Sequence, residues 1–168
     1  MKLRETLTLP LSARTAATMY ATEEYTAIRR ETLGATNASS QVDGDPTGAF
    51  TVRTELMMPT DKVPDIARRF VGSSVTIKEE QSWSAPEPDG SRNGTMELEV
   101  AGTPAGMKGS LRLAPTGELT STVDIEGDLL AKVPLLGPRL EKAAVPYVSK
   151  VLRAEEKSAA TYADRSDD

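Results

Sequence analysis

Apolar and polar residues alternate with a period of two along most of this chain. Near its C-terminal end the period changes to about 3.6, which separates a sheet-forming region from a long helix. From Gly137 to Ala163 the sequence reads as one amphipathic helix. Leu136, Leu140, Ala143, Ala144, Tyr147, Val148, Val151 and Leu152 recur at spacings of three and four. Arg139, Lys142, Ser149, Lys150, Arg153, Glu156 and Lys157 fall opposite them. Such a stripe must lie against another element, and the strand-rich sequence before it is the available partner. Pro146 falls on the polar side, where a gentle bend around a core is tolerated.

Leu3, Glu5, Leu7, Leu9 and Leu11 share one side of a first strand over residues 2–11. Ser12 then caps a helix through Ala13, Ala16, Ala17 and Tyr20, and Thr22-Glu23-Glu24 is a second capping signal. Tyr25, Ile28 and Leu33 continue an apolar side up to Gly34, so two short helices broken near Ala21 are expected. The strands that follow are a weak one at Ala38–Asp43, then Gly48–Met58, Val75–Ser84, Gly94–Thr103, Met107–Ala114 and Glu118–Leu130. The last is expected to carry Leu119, Val123, Ile125 and Leu129 inward. Between Pro59 and Gly72, the spacing of Val63, Ile66, Ala67, Phe70 and Val71 predicts a helix over Thr60–Val71. Tight turns between strands imply antiparallel neighbours.

The predicted fold is therefore α+β, with a curved antiparallel sheet of six to seven strands gripping a long C-terminal helix. A single domain spans 1–163, followed by a polar, frayed tail at 164–168.

Composition narrows the chemistry. The 168 residues carry a net charge of −5 and no extended basic cluster, which argues against nucleic acid as a partner. No apolar run has the length of a membrane span, so no membrane insertion is expected, and neither is a signal segment. A cytoplasmic protein, monomeric or weakly dimeric, is the simplest expectation. With no cysteine and no histidine, thiolate chemistry, a serine–histidine–acid triad and the commonest metal ligand are all excluded. No cofactor or metal is expected. Asp124, Glu126 and Asp128 alternate on one strand face without the spacing of a calcium loop. Arg29-Arg30 and Arg68-Arg69 read as solvated helix faces.

The order strand, two helices, antiparallel strands, long helix resembles the helix-grip fold of the START-like (SRPBCC) superfamily. More narrowly, the chain is similar to an actinobacterial family known only as a domain of unknown function. That resemblance rests on the opening Leu7-Thr-Leu-Pro-Leu-Ser12, on Pro59–Gly72, and on the run from Gly127-Asp-Leu-Leu to Gly137. It implies a cavity between sheet and helix that takes hydrophobic small molecules. It implies no single chemistry.

The candidate lining is Leu7, Val52, Thr54, Leu56, Ile77, Glu79, Gln81, Met96, Leu98, Leu111, Val123, Tyr147 and Val151. These residues either surround a ligand or fill a solid core. Gly102 and Gly109, placed inward and filling no volume, favour a cavity. Glu5 and Glu79 fall on apolar faces, where an unpaired carboxylate is costly. With Gln81, Thr54, Ser121 and Tyr147 they could orient a polar ligand group. The blander expectation is that Glu5 sits in water at a strand end and a bulge turns Glu79 outward. Trp83 is expected to plug the end of the sheet.

Binding of a lipid, isoprenoid or polyketide-like molecule is the leading functional expectation. A cyclase-, aromatase- or hydrolase-like enzyme using Glu5 or Glu79 with Tyr147, and an interaction module with a solid core, are the alternatives.

Overall fold

Residues 1–166 are described by the computed structural model. The elements in chain order are β1 (Lys2–Leu9), α1 (Ala13–Tyr20), α2 (Glu23–Leu33), β2 (Asn37–Gly44), β3 (Phe50–Pro59), α3 (Asp65–Arg68), β4 (Ser74–Trp83), β5 (Arg92–Val100), β6 (Ala105–Gly117), β7 (Thr120–Ala131) and α4 (Gly137–Ser166). All seven strands form one antiparallel sheet in the order β1-β7-β6-β5-β4-β3-β2. The run from β2 to β7 is a meander, and β1 joins it at the far edge beside β7. The fold is the expected α+β helix-grip architecture.

The helix ends follow local chemistry. Ser12 Oγ accepts the Thr15 amide at 3.2 Å and Thr22 Oγ1 accepts that of Tyr25 at 3.2 Å, so each helix has its own side-chain cap. Gly34 closes α2 with φ of 69°, the left-handed conformation glycine adopts without strain.

Gly109 of β6 faces Gly127 of β7. A Cβ on Gly109 would stand 2.5 Å from the Glu126 carbonyl oxygen, and one on Gly127 would stand 2.9 Å from Met107 Sδ. Gly109 therefore closes two backbones together and opens no space. Gly102 lies beyond the end of β5, before β6 begins, with φ of 78° and nothing near it. Neither glycine makes the hollow that sequence counting assigned to them.

Three elements differ from expectation. α3 is one turn, not a helix over Thr60–Val71, because Pro64 has no amide hydrogen and would interrupt a helix begun at Thr60. The segment instead runs as short turns, with Val63 bonded to Thr60 and Phe70 to Ala67. β6 continues through Pro115 with an irregularity before Gly117, where a strand residue lacking a donor is tolerated. The β6–β7 turn accordingly moves to Glu118–Leu119, and Leu119 is 75% exposed instead of inward. α4 extends through 164–166 of the predicted tail; residues 167–168 lie outside the described residues.

The interior is divided. A larger cluster gathers β1, α1, the start of α2, β6, β7 and the C-terminal half of α4 around Leu7, Leu9, Met19, Leu113, Ile125 and Leu152. A smaller one, Leu56, Met58, Val63, Val75 and Ile77, lies towards α3, with Tyr147 packed on it. Trp83 is buried in the larger cluster and stacks on Tyr20 at 5.6 Å. It needs bare backbone opposite: a Cβ on Gly94 would lie 2.8 Å from Trp83 Cε3 and 2.9 Å from the Ser82 carbonyl oxygen. Gly94→Val is therefore expected to lower stability by about 1–3 kcal/mol, read as a reduced urea midpoint at unchanged m value.

Candidate functional site

The two halves of α4 sit differently on the sheet. Leu152, Glu155, Ser158 and Ala159 are fully buried, whereas Ala143, Ala144, Tyr147, Val148 and Val151 are only half-buried. The front half is anchored at its start by buried Leu140 and, beyond it, roofs a cavity of about 140 Å³. Leu56, Val75, Ile77 and Glu79 form one wall. Leu98, Val100, Gly106, Met107 and Leu129 continue it across β5 to β7. Leu140, Ala144, Tyr147, Val148 and Val151 roof it, and Val63, Pro64, Ala67, Phe70 and Val71 close the end at α3. Short side chains help leave the gap. Ala144 contributes only a methyl to the roof, and Gly106 none to the wall, since a Cβ there would stand 2.5 Å from the Leu98 carbonyl oxygen.

The one charged wall residue on the sheet's concave face heads a buried polar cluster. Arg29 of α2 donates to both oxygens of Glu79 at 3.2 Å, and both side chains are only 5% exposed. Gln81 Nε2 donates to Glu79 Oε1 at 3.2 Å, while Gln81 Oε1 accepts from Trp83 Nε1 at 3.2 Å. Above them Glu155 of α4 accepts from the Tyr25 hydroxyl at 3.3 Å. The guanidinium is bonded to Glu79 and acts on Glu155 through its charge. Burial pushes the Glu155 carboxyl up to about 7, the Arg29 charge opposes this and the Glu79 charge adds to it. Burial and then Glu155 raise the Tyr20 and Tyr25 hydroxyls well above their usual range, so both stay protonated donors. Burial works against the Arg29 charge, but Glu79 and Glu155 outweigh it and hold the guanidinium protonated.

Of the sequence-predicted residues, Leu56, Ile77, Glu79, Leu98, Tyr147 and Val151 line the cavity. Leu7, Val52, Met96, Leu111 and Val123 face the same side of the sheet but lie in the larger, solid cluster. Gln81 belongs to the Arg29 cluster, and Thr54 is buried opposite Glu79 in the β3–β4 register. Ser121 is buried on β7, away from the cavity, and its hydroxyl has no partner among the described residues. Period-two counting finds the concave face; it does not tell which end the first two helices fill.

Glu79 is not turned outward by a bulge. Its pairing with Thr54 and Leu98 is regular, and Arg29 supplies the counter-charge that lets it stay inside. Arg29 is correspondingly buried at 4% exposure, not solvated. Glu5 lies outside the cavity under the edge of α4, bonded to Arg153 at 3.0 Å. Sequence reasoning missed Arg29 and Glu155. The available signal was helical phase: Arg29 follows Tyr25 by four, and Glu155 lies between Leu152 and Ala159 on the buried stripe. Asp124 and Glu126 are on the outer face with Thr6 and Arg4 as partners. Among the described residues no cluster of acidic side chains is arranged to hold a metal, and no helix is long and apolar enough to cross a membrane.

A seven-stranded antiparallel sheet bent around a C-terminal helix, with a hollow under the front of that helix, defines a helix-grip protein. The chain belongs to the family described as protein of unknown function, DUF2505, which it matches over residues 4–162. Its fold is similar to that of the Zhui aromatase/cyclase from Streptomyces sp. R1128, with a TM-score of 0.61 at 12% identity, covering 98% of this chain and 94% of that one. It is also similar to the protein TTHA0849 of Thermus thermophilus, with a TM-score of 0.59 at 15% identity, covering 96% and 99%. A START superfamily protein from Mycobacterium smegmatis gives a TM-score of 0.57 at 14% identity, covering 96% and 98%. At such identities the likeness establishes the fold alone. The sequence matches no curated protein.

Proposed function

We propose that this protein binds a hydrophobic small molecule, such as a lipid, isoprenoid or polyketide-like compound, in the cavity between the sheet and the front half of α4. The observation that carries the reading is the half-seated α4, whose apolar stripe covers an aliphatic hollow instead of a filled core. Apolar ligand surface removed from water there contributes about 25 cal/mol per Å², and a few polar groups orient the ligand.

Two features favour binding over the alternatives, the first over catalysis and the second over docking of a protein partner. Glu79 is engaged by Arg29 and Gln81, and Glu5 by Arg153, so neither carboxylate stands free as a base. The outer sheet face carries charge pairs such as Arg4–Glu126, Arg53–Glu80 and Lys108–Glu97, which suits solvent better than a broad apolar partner.

The test is fluorescence titration with phenylnaphthylamine, set beside native mass spectrometry of the purified protein. Saturable one-to-one binding is expected, and Ala144→Trp, which fills the hollow from the roof, is expected to weaken it at least about tenfold while unfolding stays cooperative. Absence of saturable binding, or equal binding by a folded Ala144→Trp variant, defeats the proposal.

A further inference from the structure

Resting on that binding reading, we infer that the cavity selects a neutral apolar molecule carrying a hydroxyl at the end that meets Glu79, with a second oxygen within reach of Tyr147. Most polar side chains of the wall are already occupied. Thr103 Oγ1 donates to the Val100 carbonyl at 2.8 Å and accepts the Ala105 amide at 3.3 Å. Glu141 accepts the Met1 amino group and the Ala131 amide, each at 3.2 Å. Glu141 keeps acceptor positions too, but its side chain is 15% exposed and so open to water. Two more deeply placed polar groups of the wall keep spare capacity.

Glu79 is the first. A carboxylate offers about four acceptor positions. Arg29 takes one on each oxygen and Gln81 a second on Oε1, which leaves room on Oε2 for one more donor. Tyr147 is the second: among the described residues its hydroxyl is buried without a hydrogen-bond partner. A buried polar atom left unpaired is costly, so a ligand that supplies the partner gains by it. The two groups belong to opposite walls, Glu79 to β4 and Tyr147 to α4.

Charge then decides the head group. Arg29 lies behind Glu79 and forms no part of the wall, so an anionic head would meet the Glu79 carboxylate before any cation. An ammonium would satisfy Glu79 but would crowd the guanidinium 3.2 Å from that carboxylate. A hydroxyl donates to Glu79 and brings no charge into the low-dielectric interior.

The experiment displaces phenylnaphthylamine from the protein with octanol, octanoate, octylamine and the terminal diol of the same chain length. Octanol is expected to compete at least about tenfold better than octanoate or octylamine, and the diol better than octanol. Tyr147→Phe is expected to remove the advantage of the diol, and Glu79→Gln to bring octanoate within about threefold of octanol. If Glu79→Gln does not fold, the head-group order on the unaltered protein decides the question. Octanoate competing as well as octanol overturns the inference while leaving the binding reading intact. A dye that does not bind at all overturns both.

Discussion

Arg29→Met is expected to lower the unfolding free energy by about 3–5 kcal/mol, the usual effect of removing one partner from a buried ion pair. The guanidinium bonds both Glu79 oxygens and lies close enough to oppose the raised Glu155 carboxyl, so its loss strands negative charge among buried side chains. Adding Glu79→Leu to the same chain removes most of the stranded charge and is expected to restore about half of the loss or more. Urea melts of the two single variants and the double variant close this cycle. Simple additivity, or an Arg29→Met cost below about 1 kcal/mol, would show that the pair does not anchor the interior.

The second large effect depends on pH. Glu155 has its folded-state pKa raised from 4.5 to about 7, chiefly by burial. The folded protein therefore holds this proton more tightly than the unfolded chain does. Its contribution is fully present below the unfolded value and is lost as pH rises through about 7. Above that, the buried carboxylate opposes folding by up to about 3 kcal/mol, the equivalent of such a shift. Glu155→Gln retains an acceptor for the Tyr25 hydroxyl and carries no charge. It is expected to match the unaltered protein near pH 4.5 and to exceed it by about 2–3 kcal/mol at pH 8. Paired urea melts at the two pH values isolate the effect, since every other titrating group is common to both proteins. A gap that does not widen with pH would mean that Glu155 is not desolvated.

The fold was largely legible because its signals are local and redundant. The capping hydroxyls of Ser12 and Thr22, the left-handed Gly34 and the alternation of Val75, Ile77, Glu79, Gln81 and Trp83 each act over a few residues. Proline chemistry was legible too but underweighted, as the single turn of α3 after Pro64 shows. The site was readable only by face. Leu56 and Ile77 line the cavity while Leu7 and Leu111, which share their periodicity, are packed solid, because the seating of α1 and α2 is a tertiary matter. Arg29 and Glu155 look like ordinary helix-surface charges, 126 positions apart in sequence (155 − 29), and only the folded chain brings them beside Glu79.

Pro146 falls within the part of α4 that roofs the hollow, with Leu140 and Ala144 before it and Tyr147, Val148 and Val151 after it, and its ring nitrogen has no hydrogen to offer the turn before it. One backbone hydrogen bond is therefore missing from the roof itself, so the helix is least stiff directly over the hollow, whereas Leu152 to Ala159 are held in the packed core.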